Sequence, residues 1–300
     1  MLERGRFAPS PTGELHLGNA RTALLSWLWA RAAGGSYLLR VEDLDAPRVR
    51  PGLAEQQLDQ LAWLGLDWDG EVVRQSTRAA AYDEALAQLG EHVYECFCSR
   101  AEIAAASAPH ESDEGPRYPG TCRALTRAQR DERRKLRAPA LRLRVPDGAI
   151  AFDDELAGPQ AFDVQAQVGD FVLRRGDGVH AYQLAVVVDD AEAGVTQVLR
   201  GADLLPSTAR QLLLYRLLGR SAPRWAHAPL VLSASGERLA KRDRAVSLGA
   251  LRSGGQDPAL LVAQLAQLSG LEPRGSPREL VEGFSLSRVS RAPARILEDP

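Results

Sequence analysis

Three groups of residues in this 300-residue chain carry side chains suited to chemistry. His16, Gly18 and Asn19 sit in a loop that precedes a helical pattern. A helix start offers unpaired N–H groups and about half a unit of positive charge, which favours a phosphate ligand. Gly18 has no Cβ to hold a ligand away from the backbone, and His16 adds a donor two residues earlier. The bland reading is a plain loop histidine, and no Walker A sequence is present. Second, Cys96, Cys98 and Cys122 are the only cysteines of the chain and lie close together in sequence. A C-x-C pair with a third thiol downstream could hold zinc if a fourth ligand is supplied nearby. Spacing does not choose that ligand among Tyr118, His92, His110 and local acids; the alternative is three free thiols in a loop-rich hairpin. Clustering of every cysteine is hard to explain by core packing. Third, Arg6 and Arg200 lie at predicted strand ends beside these loops. A guanidinium pairs with a carboxylate bidentately, though surface salt bridges are common for arginine.

The elements that must position these groups follow from the patterning. A strand at Arg6–Ala8 leads into the His16 loop. The helix after it repeats apolar residues at Ala20, Leu24, Trp27 and Leu28, which predicts one inward face and an end at Gly34-Gly35. A strand at Tyr37–Val41 follows, with acidic residues from Glu42 to Asp45 just past it. This is a strand–loop–helix–strand unit of the doubly wound α/β type. Helices are predicted over Leu53–Leu64 and Thr77–Leu89, with Trp63 and Trp68 as packing residues. Residues 124–136 form a charged helix whose basic run reads as a solvated face, with RNA contact as the sharper alternative. Strands are expected at Leu141–Val145, Phe152–Asp154 and Phe171–Arg174. Leu184–Val188 is buried, and periodicity leaves helix or strand open. Thr196–Arg200 reads as a strand and Ser207–Leu218 as a helix. Pro229–Ser233 reads as a strand entering the loop at 235–242, and a capped helix follows Asp257-Pro258.

Length suggests about two domains. The apolar and charged fractions, 45% and 25%, are ordinary for a globular chain. A net charge of −2 means that RNA binding must rest on local basic patches. No signal peptide is evident at the N-terminus, and no apolar run is long enough to span a membrane. Three cysteines cannot all pair with one another, so a reducing, cytoplasmic setting is expected.

Ala8-Pro9-Ser10-Pro11-Thr12-Gly13, then His16-Leu17-Gly18-Asn19-Ala20-Arg21-Thr22-Ala23-Leu24, then Arg40-Val41-Glu42-Asp43-Leu44-Asp45 resembles the start of the glutamyl-tRNA synthetases. These are class I aminoacyl-tRNA synthetases, whose first signature is written HIGH; Asn19 replaces its last histidine. The loop Ser235-Gly236-Glu237-Arg238-Leu239-Ala240-Lys241-Arg242 resembles the second signature, KMSKS. Lys241 falls on the catalytic lysine, and Ala240 replaces the serine before it. Tyr118-Pro119-Gly120-x-Cys122-Arg123 resembles the glutamyl-queuosine tRNA(Asp) synthetases, a shortened branch of the same group.

The resemblance implies a Rossmann-type parallel sheet split by an inserted zinc-containing module, with a small helical C-terminal region. On that pattern residues 1–85 and 181–234 are the two halves of the core, 86–180 the insertion, and 235–300 the signature loop and helical region, without an anticodon-binding domain. It implies ATP-dependent activation of L-glutamate, with Mg²⁺, and transfer to queuosine in tRNA(Asp). Charging of tRNA(Glu) and a catalytically inactive binding protein are the other readings. His16, Gly18, Asn19 and Lys241 would serve ATP and catalysis. Arg6, Ala8, Ser10, Glu42, Tyr182 and Arg200 would hold glutamate, the arginines taking its side-chain carboxylate and Glu42 its ammonium. Cys96, Cys98, Tyr118 and Cys122 would hold one structural zinc. A monomer is expected.

Overall fold

The computed structural model describes residues 2–106, 117–233 and 247–296. Strand β1 (Arg4–Phe7) runs into helix α1 (Leu17–Ala32), which returns through β2 (Ser36–Val41). Helix α2 (Leu53–Trp63), the short β3 (Val73–Arg74) and α3 (Ala79–Leu89) complete the first segment. Next come β4 (Val93–Cys96), α4 (Arg100–Ala106), α5 (Arg127–Arg134) and β5 (Ala140–Leu143). The hairpin β6 (Ile150–Asp154) and β7 (Gly158–Phe162), helix α6 (Val164–Gln167) and β8 (Val172–Arg174) follow. The chain continues through α7 (Tyr182–Glu192), β9 (Gln197–Gly201), α8 (Leu205–Leu217), β10 (Arg224–Ala228) and β11 (Val231–Leu232). Helices α9 (Leu248–Ser253), α10 (Pro258–Leu268) and α11 (Pro277–Val281) and strand β12 (Ala294–Arg295) close it.

Strands β1, β2 and β3 pair in parallel, as do β9 and β10. The Thr196 N–H donates to Arg4 O at 2.9 Å, which sets β9 beside β1 and joins the two halves. Strand β6 also pairs in parallel with β10, through Trp225 and Asp154. Strands β4, β5 and β8 form a separate antiparallel sheet around the cysteines.

Helix α1 departs from its expected single inward face. Leu25, Ser26, Trp29 and Ala30 are buried along with Ala20, Leu24, Trp27 and Leu28. It packs on β1 and β9 and is covered by α10 and α11, so a helix that reads as a surface layer is enclosed. The undecided run at Leu184–Val188 is helix α7, buried on nearly every side. Thr77–Leu89 begins instead with a 3₁₀ turn at Gln75–Thr77. The strand expected at Pro229–Ser233 shrinks to Val231–Leu232, and the long strand lies just before it at Arg224–Ala228. The charged helix is confined to Arg127–Arg134 and has no buried residue. Trp63 and Trp68 pack half-buried against the core around α1, as their packing role required. Among the described residues no helix is long and apolar enough to cross a membrane.

Candidate functional site

His16 is the N-cap of α1. Its Nδ1 accepts the N–H groups of Gly18 at 3.1 Å and Asn19 at 3.3 Å, and Asn19 Oδ1 accepts the His16 N–H at 3.2 Å. This is a reciprocal capping box built with a histidine instead of serine or threonine. A Cβ on Gly18 would come within 3.0 Å of the His16 ring. A larger residue at Gly18 would therefore press on the imidazole in front of it. The chain returns to this point at Ser247, where Leu248 N–H donates to Leu15 O at 2.8 Å. Lys241 and Ala240 lie outside the described residues, as does His110.

A cavity of about 740 Å³ opens between this cap and the ends of β1, β2 and β9. Every residue expected to hold glutamate lines it: Arg6, Ala8, Ser10, Glu42, Tyr182 and Arg200, together with His16, Gly18 and Asn19. The loop at its mouth is fixed from behind by Gln57 Nε2, which donates to Ser10 O at 3.1 Å and Gly13 O at 2.7 Å.

The two arginines are held differently. Arg6 makes two 3.3 Å hydrogen bonds to Asp190, which is fully buried on α7. Arg40 donates to the same carboxylate at 2.5 Å and to Glu42 at 3.2 Å, so one aspartate ties both strands to α7 and sets Glu42. The neighbouring Asp189 is bound by Arg78, Gln75 and Tyr82. Arg200, equally buried, forms no ion pair with any described residue. It donates to His227 Nε2 at 3.0 Å, Gln211 Oε1 at 2.9 Å, Thr208 Oγ1 at 2.8 Å and Leu204 O at 3.2 Å. Its guanidinium also lies 4.7 Å from the centre of the Trp225 ring. Arg6 is paired with Asp190 and Glu42 with Arg40, so of the two arginines lining the cavity beside Glu14, Glu42 and Asp203, Arg200 is the one with no ion pair to a described residue.

Titration follows from these partners. Burial opposes the Asp190 charge, but Arg40 and Arg6 outweigh it and hold its carboxyl below the usual range. For Glu42 burial wins over Arg40 and Arg6, and its carboxyl is raised. Burial pulls Arg200 below the ordinary arginine value. Tyr182 is raised, first by burial and then by Glu42. Opposed shifts on neighbouring groups are common at functional sites and in structural ion-pair networks alike.

The cysteines form a second constellation. The Sγ atoms of Cys96, Cys98 and Cys122 all lie within 4.8 Å of one another. Cys98 and Cys122 are 3.6 Å apart, and Tyr118 Oη is 3.4 Å from Cys96 Sγ. Tetrahedral zinc–thiolate bonds of about 2.3 Å place sulfurs about 3.8 Å apart, so the donor set fits zinc. Of the described candidates for a fourth ligand, Tyr118 is the one seated on the thiols. Gly169 allows this: its φ is +73°, and a Cβ there would meet Tyr118 O at 2.5 Å. Burial, the Cys122 hydrogen bond and the Cys96 charge push Cys98 up to about 12. Cys96 is lowered despite its burial, by Tyr118 and Arg142.

Asp190, Arg40, Asp154 and His227 escaped the sequence reading. Asp189-Asp190 did carry a signal, because two carboxylates ending a buried apolar run must be paired.

The family described as tRNA synthetases class I (E and Q), catalytic domain, matches residues 4–292. Glutamyl-Q tRNA(Asp) synthetase of Symbiobacterium thermophilum is 54% identical over 308 positions, spanning 97% of this chain and 95% of its own. That of Nitratidesulfovibrio vulgaris is 51% identical and spans 99% and 95%. The crystal structure of glutamate-tRNA synthetase from Elizabethkingia anophelis superposes with a TM-score of 0.86 at 30% identity, covering 99% of this chain and 68% of its own. The chain belongs to the class I synthetases of the E and Q type, and among them to the glutamyl-Q tRNA(Asp) synthetase family.

Proposed function

We propose that the protein activates L-glutamate with ATP and transfers the glutamyl group to queuosine in the anticodon loop of tRNA(Asp). The observation that carries the amino-acid side of this reading is Arg200: a buried guanidinium held by neutral acceptors, which forms no ion pair with a carboxylate of the described residues. A substrate carboxylate supplies that partner, and Glu42 on the opposite side supplies one for an ammonium. The acceptor follows from the names of relatives that match over nearly their whole length.

In the first step a glutamate α-carboxylate oxygen attacks the α-phosphorus of ATP, and the bond to pyrophosphate breaks. In the second an RNA hydroxyl attacks the adenylate carbonyl and AMP leaves. No protein nucleophile is needed; positioning and charge stabilisation lower the barrier. His16, Gly18 and Asn19 would face the phosphates, and Lys241 the leaving pyrophosphate, with Mg²⁺ accompanying ATP. The His16 ring holds the Gly18 and Asn19 N–H groups through Nδ1, so a phosphate reaching those N–H groups would have to displace it. Ala240 removes a hydroxyl contact and lowers activity without abolishing it.

On the same reading residues 1–85 and 181–234 are the halves of the nucleotide core. Residues 86–180 are the insertion, and 235–300 are the signature loop and helical region. Cys96, Cys98, Tyr118 and Cys122 would hold a structural zinc, which when bound would offset most of the charge of the thiolates. A short glutamyl-tRNA synthetase is the second reading, supported by the likeness to the Elizabethkingia enzymes. Labelled glutamate offered with ATP to tRNA from queuosine-containing and queuosine-deficient cells separates the two. Label confined to the first pool supports the proposal, whereas equal label on both supports tRNA(Glu) charging. No label on either supports an inactive binding protein.

A further inference from the structure

The charge of Arg200, which no described residue pairs, is useful only if its side chain is aimed, and a buried chain of three residues from three strands ends on it. Strand β6 contributes Asp154, β10 contributes His227, and β9 contributes Arg200, opposite His227 in register. His227 Nδ1 is 2.6 Å from Asp154 Oδ2, and His227 Nε2 is 3.0 Å from Arg200 Nε. Both the histidine and aspartate side chains are fully enclosed.

The neighbours determine the imidazole tautomer. Arg200 Nε always carries hydrogen, so Nε2 of His227 must offer its lone pair. Thr208 Oγ1, 3.2 Å away, already accepts from Arg200 and can turn its own hydrogen to the same lone pair. The ring proton must then be on Nδ1, donated to the Asp154 carboxylate. Burial lowers the His227 pKa more than Asp154 raises it, consistent with a neutral ring.

We infer that Asp154 and His227 are positioning residues for glutamate recognition: the carboxylate fixes the histidine tautomer, and the histidine lone pair orients Arg200 without cancelling its charge. This rests on Arg200 being the receptor for the substrate carboxylate, as proposed above. A carboxylate in place of His227 would orient the guanidinium equally well but neutralise it.

Asp154→Asn inverts the arrangement. Asp154 Oδ1 accepts three backbone N–H groups, from Leu156 at 3.0 Å, Ala157 at 2.8 Å and His227 at 3.1 Å. These donors keep an oxygen at that position, so the asparagine NH₂ falls where Oδ2 was and donates to Nδ1. The ring proton moves to Nε2 and faces the Arg200 N–H.

The test is glutamate-dependent exchange between ATP and pyrophosphate, with thermal unfolding measured alongside. Asp154→Asn is expected to raise the glutamate KM about 10- to 100-fold, with the ATP KM within about twofold. In the His227→Gln background, which has no tautomer to invert, the same substitution should add less than about threefold. ¹⁵N spectra of histidine-labelled protein should show His227 protonated at Nδ1 in the wild type and at Nε2 in Asp154→Asn. An equal effect in both backgrounds, or a wild-type ring protonated at Nε2, overturns the inference. Absence of exchange in the wild type instead removes the proposed reaction, while the ¹⁵N spectra still decide the tautomer.

Discussion

In the cavity beside β1, Arg6, Glu42 and Arg200 are each held by partners outside it; in the cysteine cluster, the would-be ligands hold one another. Arg6 and Arg40 are fixed by Asp190 of α7, Glu42 by Arg40, and Arg200 by His227, Gln211 and Thr208. These side chains are therefore held by protein partners rather than by a substrate. Cys98 contacts Cys122, Cys96 contacts Tyr118, and Tyr118 Oη accepts the Cys122 N–H at 2.9 Å. These groups cannot all ionise side by side without a cation between them. The first constellation is held by its supports, while the second, if it takes zinc as proposed, would need the cation to hold its thiolates together.

Chelation should break that comparison most visibly. A structural zinc site contributes directly to folding free energy. Stripping the metal is expected to lower the Tm by roughly 10 °C in a chain of this size. The glutamate KM, read by pyrophosphate exchange, should stay within about twofold. A parallel collapse of glutamate binding would mean that the two sites are one cooperative unit.

Next in size is the contrast between the arginines. Arg200→Met removes a charge that nothing in the protein replaces, so the glutamate KM should rise about 10²- to 10³-fold. Arg6→Met should also raise it strongly but by less, because Arg40 still sits on Asp190 and limits the rearrangement. Steady-state titrations of glutamate at saturating ATP would test the order, and the reverse ranking would show that Arg6 is the principal receptor.

Glu42 gives a smaller, pH-dependent effect. Burial raises its carboxyl in spite of Arg40 and Arg6. The ammonium-binding charge is therefore lost, as pH falls, from above the ordinary glutamate value of about 4.3. The glutamate KM should climb with acidification earlier than a free carboxylate predicts. Stability has the opposite sign: a raised folded pKa gives a contribution present below the unfolded pKa and lost as pH rises through the folded one. Glu42→Gln should thus leave the neutral-pH Tm unchanged or slightly higher while weakening glutamate binding. A large fall in Tm would show that Glu42 serves the fold rather than the ligand.

Local patterning in the sequence reached the residues lining the cavity but not those supporting them. Arg6, Glu42 and His16 sit at strand and helix ends, where spacing and punctuation are informative. Asp190 is distant from Arg6 in sequence, and Asp154 reaches His227 only because β6 pairs with β10. Those contacts are products of sheet order, which has no local signature. For the same reason α1 reads as a one-faced helix: the cover by α10 and α11 comes from residues more than two hundred positions later. The cysteines are the exception, since their chemistry advertises itself by residue type alone.

The smallest expected effect separates the two sites most cleanly. Thr126 caps α5: its hydroxyl accepts the Gln129 N–H at 3.3 Å, and the Gln129 side chain accepts the Thr126 N–H at 2.9 Å. The helix has no buried residue, so the cap is a large part of what holds it in place. Arg133 on α5 donates to Cys122 Sγ at 3.6 Å, and Arg134 pairs with Glu95 on β4. Thr126→Ala costs about 1 kcal/mol of helix stability, and that loss falls on a helix that supplies a cation, Arg133, to the thiols. Zinc affinity, measured by competition with a chromogenic chelator, should fall several-fold at most. Glutamate exchange should not change, because no residue of α5 reaches the cavity. A shift in glutamate KM from this exposed threonine would mean that the insertion transmits its order to the pocket, and the separation of a self-supporting site from a ligand-dependent one would have to be given up.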